Sequence, residues 1–257
     1  MHVTVLMAVY NGARTVGDAI ESICSQSYAD WDLLIVDDGS SDDTWEILER
    51  YVAADPRIHA IRNPNNRGLA YSLNRGWQAA DSSLIARMDA DDVSVPERLQ
   101  LQVDFMRLNP DVAVLGAGVL MVDDEGRTLG SVLPPELHRD LQAAMYKENP
   151  FAHPTVMMRR GFLETMGGYD ERLRRAQDAD LWLRGYRRFR YHNLQAPLVR
   201  YRLRRKPSFL STAFSSFVLA RSAWREGLLL KRGWCALRPI GAGFLIRTGA
   251  AINFRSS

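Results

Sequence analysis

A chain of 257 residues, 46% hydrophobic and 25% charged, is long enough for one sizeable α/β domain, and this composition excludes a disordered or low-complexity protein. The two cysteines, Cys24 and Cys235, lie far apart without the spacing of a zinc site, which favours reduced thiols in a cytosolic protein. The N-terminus lacks the pattern of a signal peptide, and the longest mainly apolar stretch, 112–122, is too short to span a bilayer. We therefore expect a chain that is soluble or peripheral to a membrane.

The net charge of +3 conceals a strong asymmetry along the chain. Residues 181–257 contain 16 lysines and arginines and one acid, Glu226, whereas the preceding part is acidic overall. An acidic front part suits the binding of divalent cations. A basic end suits an anionic partner such as a membrane surface, a phosphorylated lipid or nucleic acid.

The first 90 residues alternate between strand and helix patterns, with each predicted strand followed by a predicted helix or an acidic loop. Strands are predicted at 3–9, 33–36, 58–61 and 83–88, and helices at 15–25, from 44, and at 69–79. Repeated βα units predict a mainly parallel sheet covered by helices, in which ligands bind at the carboxyl ends of the strands. The acidic segments of this region all follow such strand ends.

The later elements predict a more varied arrangement. A helix is predicted to begin at Pro96 and end near 108, followed by strands, helices and a basic amphipathic helix at the end. The predicted ranges are strands 112–122, 127–133 and 151–160, and helices 136–147, 178–188 and 210–228.

The segment Asp89-Ala90-Asp91-Asp92 is the first candidate site. Three carboxylates within four residues repel one another unless a cation neutralises them, and Mg²⁺ and Mn²⁺ prefer carboxylate oxygens. The alternative is a solvated acidic turn or a helix N-terminus before Pro96.

The second candidate site is the segment 37–42, which follows another predicted strand. Asp37 or Asp38 at a strand end can accept hydrogen bonds from a nucleotide base or a ribose hydroxyl, and Gly39 permits a tight turn that brings backbone near a ligand. The alternative is a turn that caps the helix from residue 44.

Seven motifs in register make the chain resemble the family 2 glycosyltransferases of the GT-A fold. They are Val9-Tyr10-Asn11, Val36-Asp37-Asp38-Gly39-Ser40, Asn66-Arg67-Gly68-Leu69-Ala70, Asp89-Ala90-Asp91-Asp92, Pro96-Glu97-Arg98-Leu99, Phe151-Ala152-His153-Pro154 and Gly168-Tyr169-Asp170 with Gln177-Asp178-Ala179-Asp180-Leu181-Trp182. The resemblance covers about residues 3–205. It implies a GT-A domain over 1–205, with 206–257 as a basic amphipathic helical extension.

The resemblance also implies site residues and a reaction. A hexosyltransferase-like enzyme is expected to move a sugar from a nucleotide-diphosphate donor, a UDP-sugar, to a hydroxyl of a glycan or lipid-linked saccharide, with inversion and with Mn²⁺ or Mg²⁺ as cofactor. The implied nucleotide contacts are Ala8, Tyr10, Asp37, Asp38, Arg67 and Asp89, the implied metal ligands are Asp91 and Asp89, and the implied catalytic base is Asp178. Further expected substrate or diphosphate contacts are His153, Asp180, Trp182 and Arg204, although helical spacing favours a core role for Trp182. The Asp180 charge is expected to help raise the pKa of Asp178.

Two residues depart from the family pattern. Gln177 stands where the family usually has Glu, and Arg204 stands where a His often contacts metal or diphosphate. These departures leave open a catalytically silent nucleotide-sugar-binding module. A receiver-type signalling domain is disfavoured by the length and by the lack of a lysine after a suitable strand. A nucleotidyltransferase is disfavoured because Arg14 alone does not make a triphosphate loop.

The expected setting is polysaccharide biosynthesis at the cell envelope. We expect a cytoplasmic protein that binds an anionic membrane at the inner face of the cell membrane through its basic C-terminal part, with no nucleic-acid partner.

Overall fold

The computed structural model describes residues 1–145 and 149–203, and these form a central sheet with helices on both faces. The first part contains β1 Val3–Val9, α1 Val16–Cys24, β2 Trp31–Asp37, α2 Thr44–Ala54, β3 Ile58–Arg62, α3 Leu69–Ala79 and β4 Leu84–Asp89. The second part contains β5 Val93–Ser94, α4 Arg98–Leu108, β6 Val112–Val122, β7 Thr128–Val132, α5 His138–Ala144, a 3₁₀ turn His153–Thr155, β8 Met157–Arg159, α6 Arg160–Met166, α7 Gln177–Gly185 and β9 Arg190–Arg202.

The first four long strands form a parallel sheet in the order β3-β2-β1-β4, as the βα pattern predicts. Strand β1 is apolar on both faces because helices cover both. Val5 and Met7 belong to the core under α1, and Leu6 belongs to the core under α3. In register, Ala8 pairs with Asp89 of β4, and Val9 pairs with Asp37 of β2. The acidic ends of β2 and β4 therefore flank the end of β1.

The second half of the sheet is mixed rather than mainly parallel. Strand β8 is antiparallel to both β4 and β6, β6 runs parallel to the long strand β9, and β5 and β7 add antiparallel pairs. Strand β9 thus returns beside the segment after β4, which brings residues near 200 to the acidic segment near 90.

The predicted strand 151–160 is mostly not a strand. Its first part is the 3₁₀ turn His153–Thr155, and only Met157–Arg159 joins the sheet. Pro154 has no N–H for a strand ladder, and the Thr155 hydroxyl donates to the Ala152 carbonyl at 2.7 Å, which closes the turn. The helix predicted from Pro96 begins at Arg98.

Several expectations concern residues that the structure does not describe. The extension 206–257, its predicted helix and its boundary with the expected domain 1–205 lie outside the described residues, as does Arg204. Among the described residues, no helix has both the length and the apolar character that are needed to cross a bilayer.

Candidate active site

Two adjoining cavities lie at the carboxyl ends of β1 and β4. The larger, which we call the acidic cleft, measures about 760 Å³. The smaller, which we call the Asp178 pocket, measures about 150 Å³. Asp89 lines both cavities. The cleft is also lined by Ala8, Tyr10, Arg14, Asp18, Asp42, Asp91, Asp124 and Arg202, and the pocket by Val119, Asn149, Phe151, Ala152, His153, Pro154, Asp178 and Tyr201.

The three carboxylates at the end of β4 form a cluster that fits a cation. One oxygen each of Asp89, Asp91 and Asp92 lies within 4.8 Å of the others. Asp92 was not among the expected ligands, yet it is buried. Its Oδ1 accepts the Arg202 N–H at 2.9 Å, while its Oδ2 has no hydrogen-bond partner. Burial, together with the charges of Asp89 and Asp91, raises the pKa of the Asp92 carboxyl. A divalent cation would offset both the burial of the Asp92 charge and the repulsion among the three carboxylates, so these oxygen ligands suit Mg²⁺ or Mn²⁺.

Two buried arginines support this cluster. Arg87 of β4 is 2% exposed, and its guanidinium pairs with the Asp89 carboxylate. Arg98 of α4 is fully buried and donates from Nη2 to the Arg87 carbonyl at 2.7 Å. Burial and the nearby Arg87 charge lower the pKa of Arg98 to about 9. Neither was predicted as a site residue, although Arg98 stands in the motif Pro96-Glu97-Arg98-Leu99, because no local pattern marks a buried arginine.

The expected nucleotide contacts divide into two groups. Ala8 and Tyr10 line the acidic cleft, and Tyr10 is 50% exposed there. The loop that carries Tyr10 is fixed by Asn11, whose φ is 50° and whose side-chain oxygen accepts the Ser41 N–H at 2.8 Å. The asparagine tolerates this left-handed conformation. This loop therefore holds Tyr10 in one position at the cleft.

The second group, Asp37, Asp38 and Arg67, lies outside the lining of the acidic cleft. Asp38 is buried and accepts the Arg67 and Gly68 N–H groups at 2.9 and 2.8 Å. Asp37 is fully buried and faces the Arg62 guanidinium, with Arg62 Nε 3.0 Å from Asp37 Oδ2. The Arg67 guanidinium stacks over the Tyr71 ring at 4.3 Å. These side chains fix the conformation of the loops beside the cleft.

The turn at Gly39 is tight, as predicted, but it approaches protein rather than open cleft. The residue has a φ of 73°, and a side chain there would meet the Asn65 backbone at 2.7 Å. Only glycine fits both conditions.

The Asp178 pocket holds the expected catalytic carboxylate. Asp178 lies in the first turn of α7. This helix begins directly after Ala176, whose φ of 56° is unusual for a residue with a Cβ. The Asn149 amide donates to Asp178 Oδ2 at 2.6 Å. Removal from water raises the pKa of the Asp178 carboxyl, and this effect outweighs the N–H of Ala179, the Arg87 charge and the Asn149 hydrogen bond, which lower it. A raised pKa suits a general base.

His153 lies in the same pocket. It is 9% exposed, and its Nε2 lies 3.0 Å from the Tyr169 hydroxyl oxygen. Burial and the Arg87 charge lower its pKa well below the usual value, so the imidazole is neutral. It therefore presents no charge to a ligand.

Two expected substrate contacts, Asp180 and Trp182, are buried. Asp180 is 1% exposed and pairs with Arg184 of the same helix at 2.7 Å. Trp182 is fully buried in the core, where its ring stacks on Phe162 at 6.1 Å and approaches Phe151 at 5.2 Å. The core role that helical spacing favours for Trp182 is confirmed.

Strand β9 adds two residues that were not predicted. Tyr201 lines the Asp178 pocket, and burial together with the charges of Asp89, Asp92 and Asp91 raises its pKa to about 12. Arg202 lines the acidic cleft and donates to the Asp124 carbonyl at 2.7 Å, besides its backbone bond to Asp92. Only the return of β9 to the sheet brings them here, so no sequence motif near 90 could reveal them.

A cleft over parallel strand ends, an acidic cluster and an adjoining carboxylate pocket are together typical of the GT-A fold. Solved structures of this fold are similar to the chain. The Staphylococcus aureus TarS 1–349 structure in complex with UDP-GlcNAc gives a TM-score of 0.70 at 20% identity, covering 87% of this chain and 66% of that chain. Mannosyltransferase PcManGT from Pyrobaculum calidifontis, in complex with GDP-Man and Mn²⁺, gives 0.67 at 18% identity, covering 90% and 65%. The chain thus spans about two thirds of these solved chains, and the likeness shows the fold.

The family follows from sequence comparison. The family model for glycosyl transferase family 2 matches residues 4–167. EpsE of Bacillus subtilis (strain 168), whose name includes the word glycosyltransferase, is 42% identical over 206 residues, covering 78% of this chain and 72% of EpsE. The O-antigen biosynthesis glycosyltransferase WbnJ of Escherichia coli is 32% identical over 232 residues, covering 88% and 89%. The chain belongs to glycosyl transferase family 2.

Proposed function

We propose that the protein transfers a sugar, with inversion, from a UDP-sugar to a hydroxyl of a glycan or lipid-linked saccharide. The acidic cleft would bind the donor, with the nucleotide against Ala8 and Tyr10 and the ribose or diphosphate near Asp89. The Asp178 pocket would bind the acceptor. TarS was solved with UDP-GlcNAc, which supports a UDP donor, and the names of WbnJ and of the amylovoran biosynthesis glycosyltransferase AmsE of Erwinia amylovora support a saccharide acceptor.

The observation that carries the proposal is the junction of the two cavities at Asp89. A donor cleft of about 760 Å³ has room for a nucleotide, whereas a pocket of about 150 Å³ admits one acceptor group. A glycosyl transfer needs two substrates that meet at one point, with a base on the acceptor side. Asp178 lies on the acceptor side, and the acidic cluster lies on the donor side.

The proposed reaction is a single displacement. The acceptor oxygen forms a bond to the anomeric carbon as its proton passes to the Asp178 carboxylate. The bond from that carbon to the diphosphate oxygen breaks, and its electron pair stays with the departing nucleoside diphosphate. Attack from the face opposite the leaving group inverts the anomeric configuration.

The residues that would hold a divalent cation are Asp89, Asp91 and Asp92. When bound, the ion supplies stabilisation of the negative charge on the departing diphosphate. Arg87 holds the Asp89 carboxylate in place, and Arg202 fixes Asp92 through its backbone N–H and adds a positive charge at the cleft.

The donor assignment is tested with a panel of UDP-, GDP- and dTDP-sugars, in binding and hydrolysis assays with Mn²⁺. We expect one UDP-sugar to bind and to be slowly hydrolysed without acceptor. Binding without hydrolysis, and without transfer to any glycan acceptor, would favour the alternative of a silent nucleotide-sugar-binding module. Preference for a GDP-sugar would contradict the UDP assignment alone.

We also propose peripheral attachment to the cytoplasmic face of an anionic membrane, through the chain after residue 205. The support is charge, because residues 206–257 contain eight lysines and arginines and a single acid, Glu226. Each basic residue near an anionic surface contributes about 1 kcal/mol. Co-sedimentation with phosphatidylglycerol vesicles should require acidic lipid, weaken as salt rises and disappear when the chain is truncated at Pro207. Sedimentation that ignores lipid charge, or that survives truncation, would refute the attachment.

A further inference from the structure

Asn149 is in direct contact with the carboxylate that the proposed reaction uses. Its Nδ2 donates to Asp178 Oδ2 at 2.6 Å, and both residues line the Asp178 pocket. Its Oδ1 accepts the Phe151 N–H at 3.2 Å. Because the carbonyl oxygen faces a backbone donor, the amide has one consistent orientation, with the NH₂ toward Asp178.

The segment that carries Asn149 is fixed to the sheet. Asn193 of β9 is fully buried, and its amide donates to the Pro150 carbonyl at 3.1 Å and to the Pro135 carbonyl at 2.8 Å. Phe151 is 1% exposed and packs against Trp182 of α7, the helix that carries Asp178. The two partners of the hydrogen bond are therefore held by one packed core.

In the described part of the chain, few other groups can orient the Asp178 carboxylate. The charged and titratable groups described around it are Arg87, Tyr169, His153, Asp89 and Tyr201, which come from β4, the loop before α7, the 3₁₀ turn and β9. Arg87 pairs with Asp89, and His153 contacts Tyr169. Among residues 1–145 and 149–203, the side-chain donor in contact with Asp178 is Asn149.

We propose that Asn149 is a positioning residue that aims the Asp178 carboxylate at the acceptor hydroxyl and favours its ionised form. The inference rests on the proposed function. A hydrogen bond donated to a carboxylate stabilises the anion, so its loss raises the pKa of that carboxyl. Removing the donor leaves a smaller fraction of Asp178 ionised at a given pH. Turnover then falls most in acid and recovers as pH rises.

The test measures the pKa of Asp178 directly and needs no donor. Protein labelled with ¹³C at the aspartate carboxyls is titrated by NMR, and the Asp178 resonance is identified by its absence from Asp178→Asn. We expect Asn149→Ala to raise the pKa of Asp178 by about one unit, a tenfold loss of ionised base at low pH. The isosteric Asn149→Asp should raise it further, because two carboxyls then share the pocket. Asn109→Ala, which removes a 2.9 Å hydrogen bond to the Phe105 carbonyl at the end of α4, should leave it unchanged.

The second readout is the pH profile of kcat/KM for the acceptor, with the donor found in the panel. The acid limb should move upward with the NMR value, while the KM for the donor stays as in the wild type. An unchanged pKa in both Asn149 variants, or a moved pKa with an unmoved acid limb, would overturn the role of Asn149. A wild-type protein that transfers no sugar at any pH would instead contradict the proposed function.

Discussion

Replacing Asp38 with alanine tests whether its carboxylate binds the nucleotide or holds the protein structure. The side chain is 4% exposed and accepts three hydrogen bonds. These come from the Asn63 amide at 2.7 Å, the Arg67 N–H at 2.9 Å and the Gly68 N–H at 2.8 Å. Gly68 has a φ of 94°, so the carboxylate holds a turn of unusual conformation.

The expected loss of stability follows from these three bonds. At about 1 kcal/mol for each, Asp38→Ala should lower the free energy of unfolding by about 3 kcal/mol. Asn63 keeps part of its bonding because its amide also donates to the Ser72 hydroxyl at 3.0 Å. The two backbone N–H groups have no such second acceptor in the turn, and they carry most of the loss.

Urea unfolding measures the stability, and calorimetric titration with UDP measures binding by the folded variant. We expect reduced stability and an affinity for UDP close to that of the wild type. Asp55→Ala is the matched control. Asp55 also accepts three hydrogen bonds, all from Arg57, but near the surface, where the loss should be about 1 kcal/mol or less. Unchanged stability with abolished UDP binding would show that Asp38 contacts the nucleotide and would refute this reasoning.

Three further predictions concern the metal cluster, the core and the base. Asp91→Asn should weaken Mn²⁺ binding, followed by calorimetry, by at least about tenfold, whereas Asp18→Asn in the same cleft should not; equal effects would exclude a specific cluster. Trp182→Ala should lower the free energy of unfolding, measured with urea, by about 3–5 kcal/mol. Trp182→Phe should lower it by less than about 2 kcal/mol, because it retains one ring and removes an indole N–H that lacks a partner. A large effect on the donor KM without a loss of stability would contradict the core role. Because Asp178 acts as a base only when ionised and burial raises its pKa, kcat/KM for the acceptor should rise with pH and level off above a pKa higher than that of a free aspartate. A rate that falls with rising pH over this range would contradict a carboxylate base.

Local patterns were sufficient to predict the first half of the fold. Each of β1, β2 and β4 is a short apolar run followed by acidic or turn residues, and parallel pairing places their ends side by side. The acidic cluster and the cleft position of Tyr10 follow from this arrangement. The same patterns could not predict that Asp38 is satisfied by the protein, because its partners Asn63 and Gly68 lie 25 and 30 residues away.

Long-range contacts account for what the sequence did not reveal. Asn149 lies 29 residues from Asp178, and the Arg202 N–H lies 110 residues from the Asp92 carboxylate. Asp180 illustrates the opposite case, in which proximity in sequence misleads. It lies two residues from Asp178 on α7, but it faces the core and Arg184 rather than the pocket.

The most direct test of the proposed mechanism compares Asp178→Asn with Asp180→Asn, two acids of the same helix. Sugar transfer is measured with the donor found in the panel, and donor affinity is measured by calorimetry. Asp178→Asn should lower kcat by about 10²–10⁴-fold with donor affinity unchanged, since the carboxylate acts on the acceptor. Asp180→Asn should lower stability through the lost Arg184 pair and leave kcat of the folded protein near that of the wild type. Transfer at the wild-type rate by Asp178→Asn would contradict the assignment of the base.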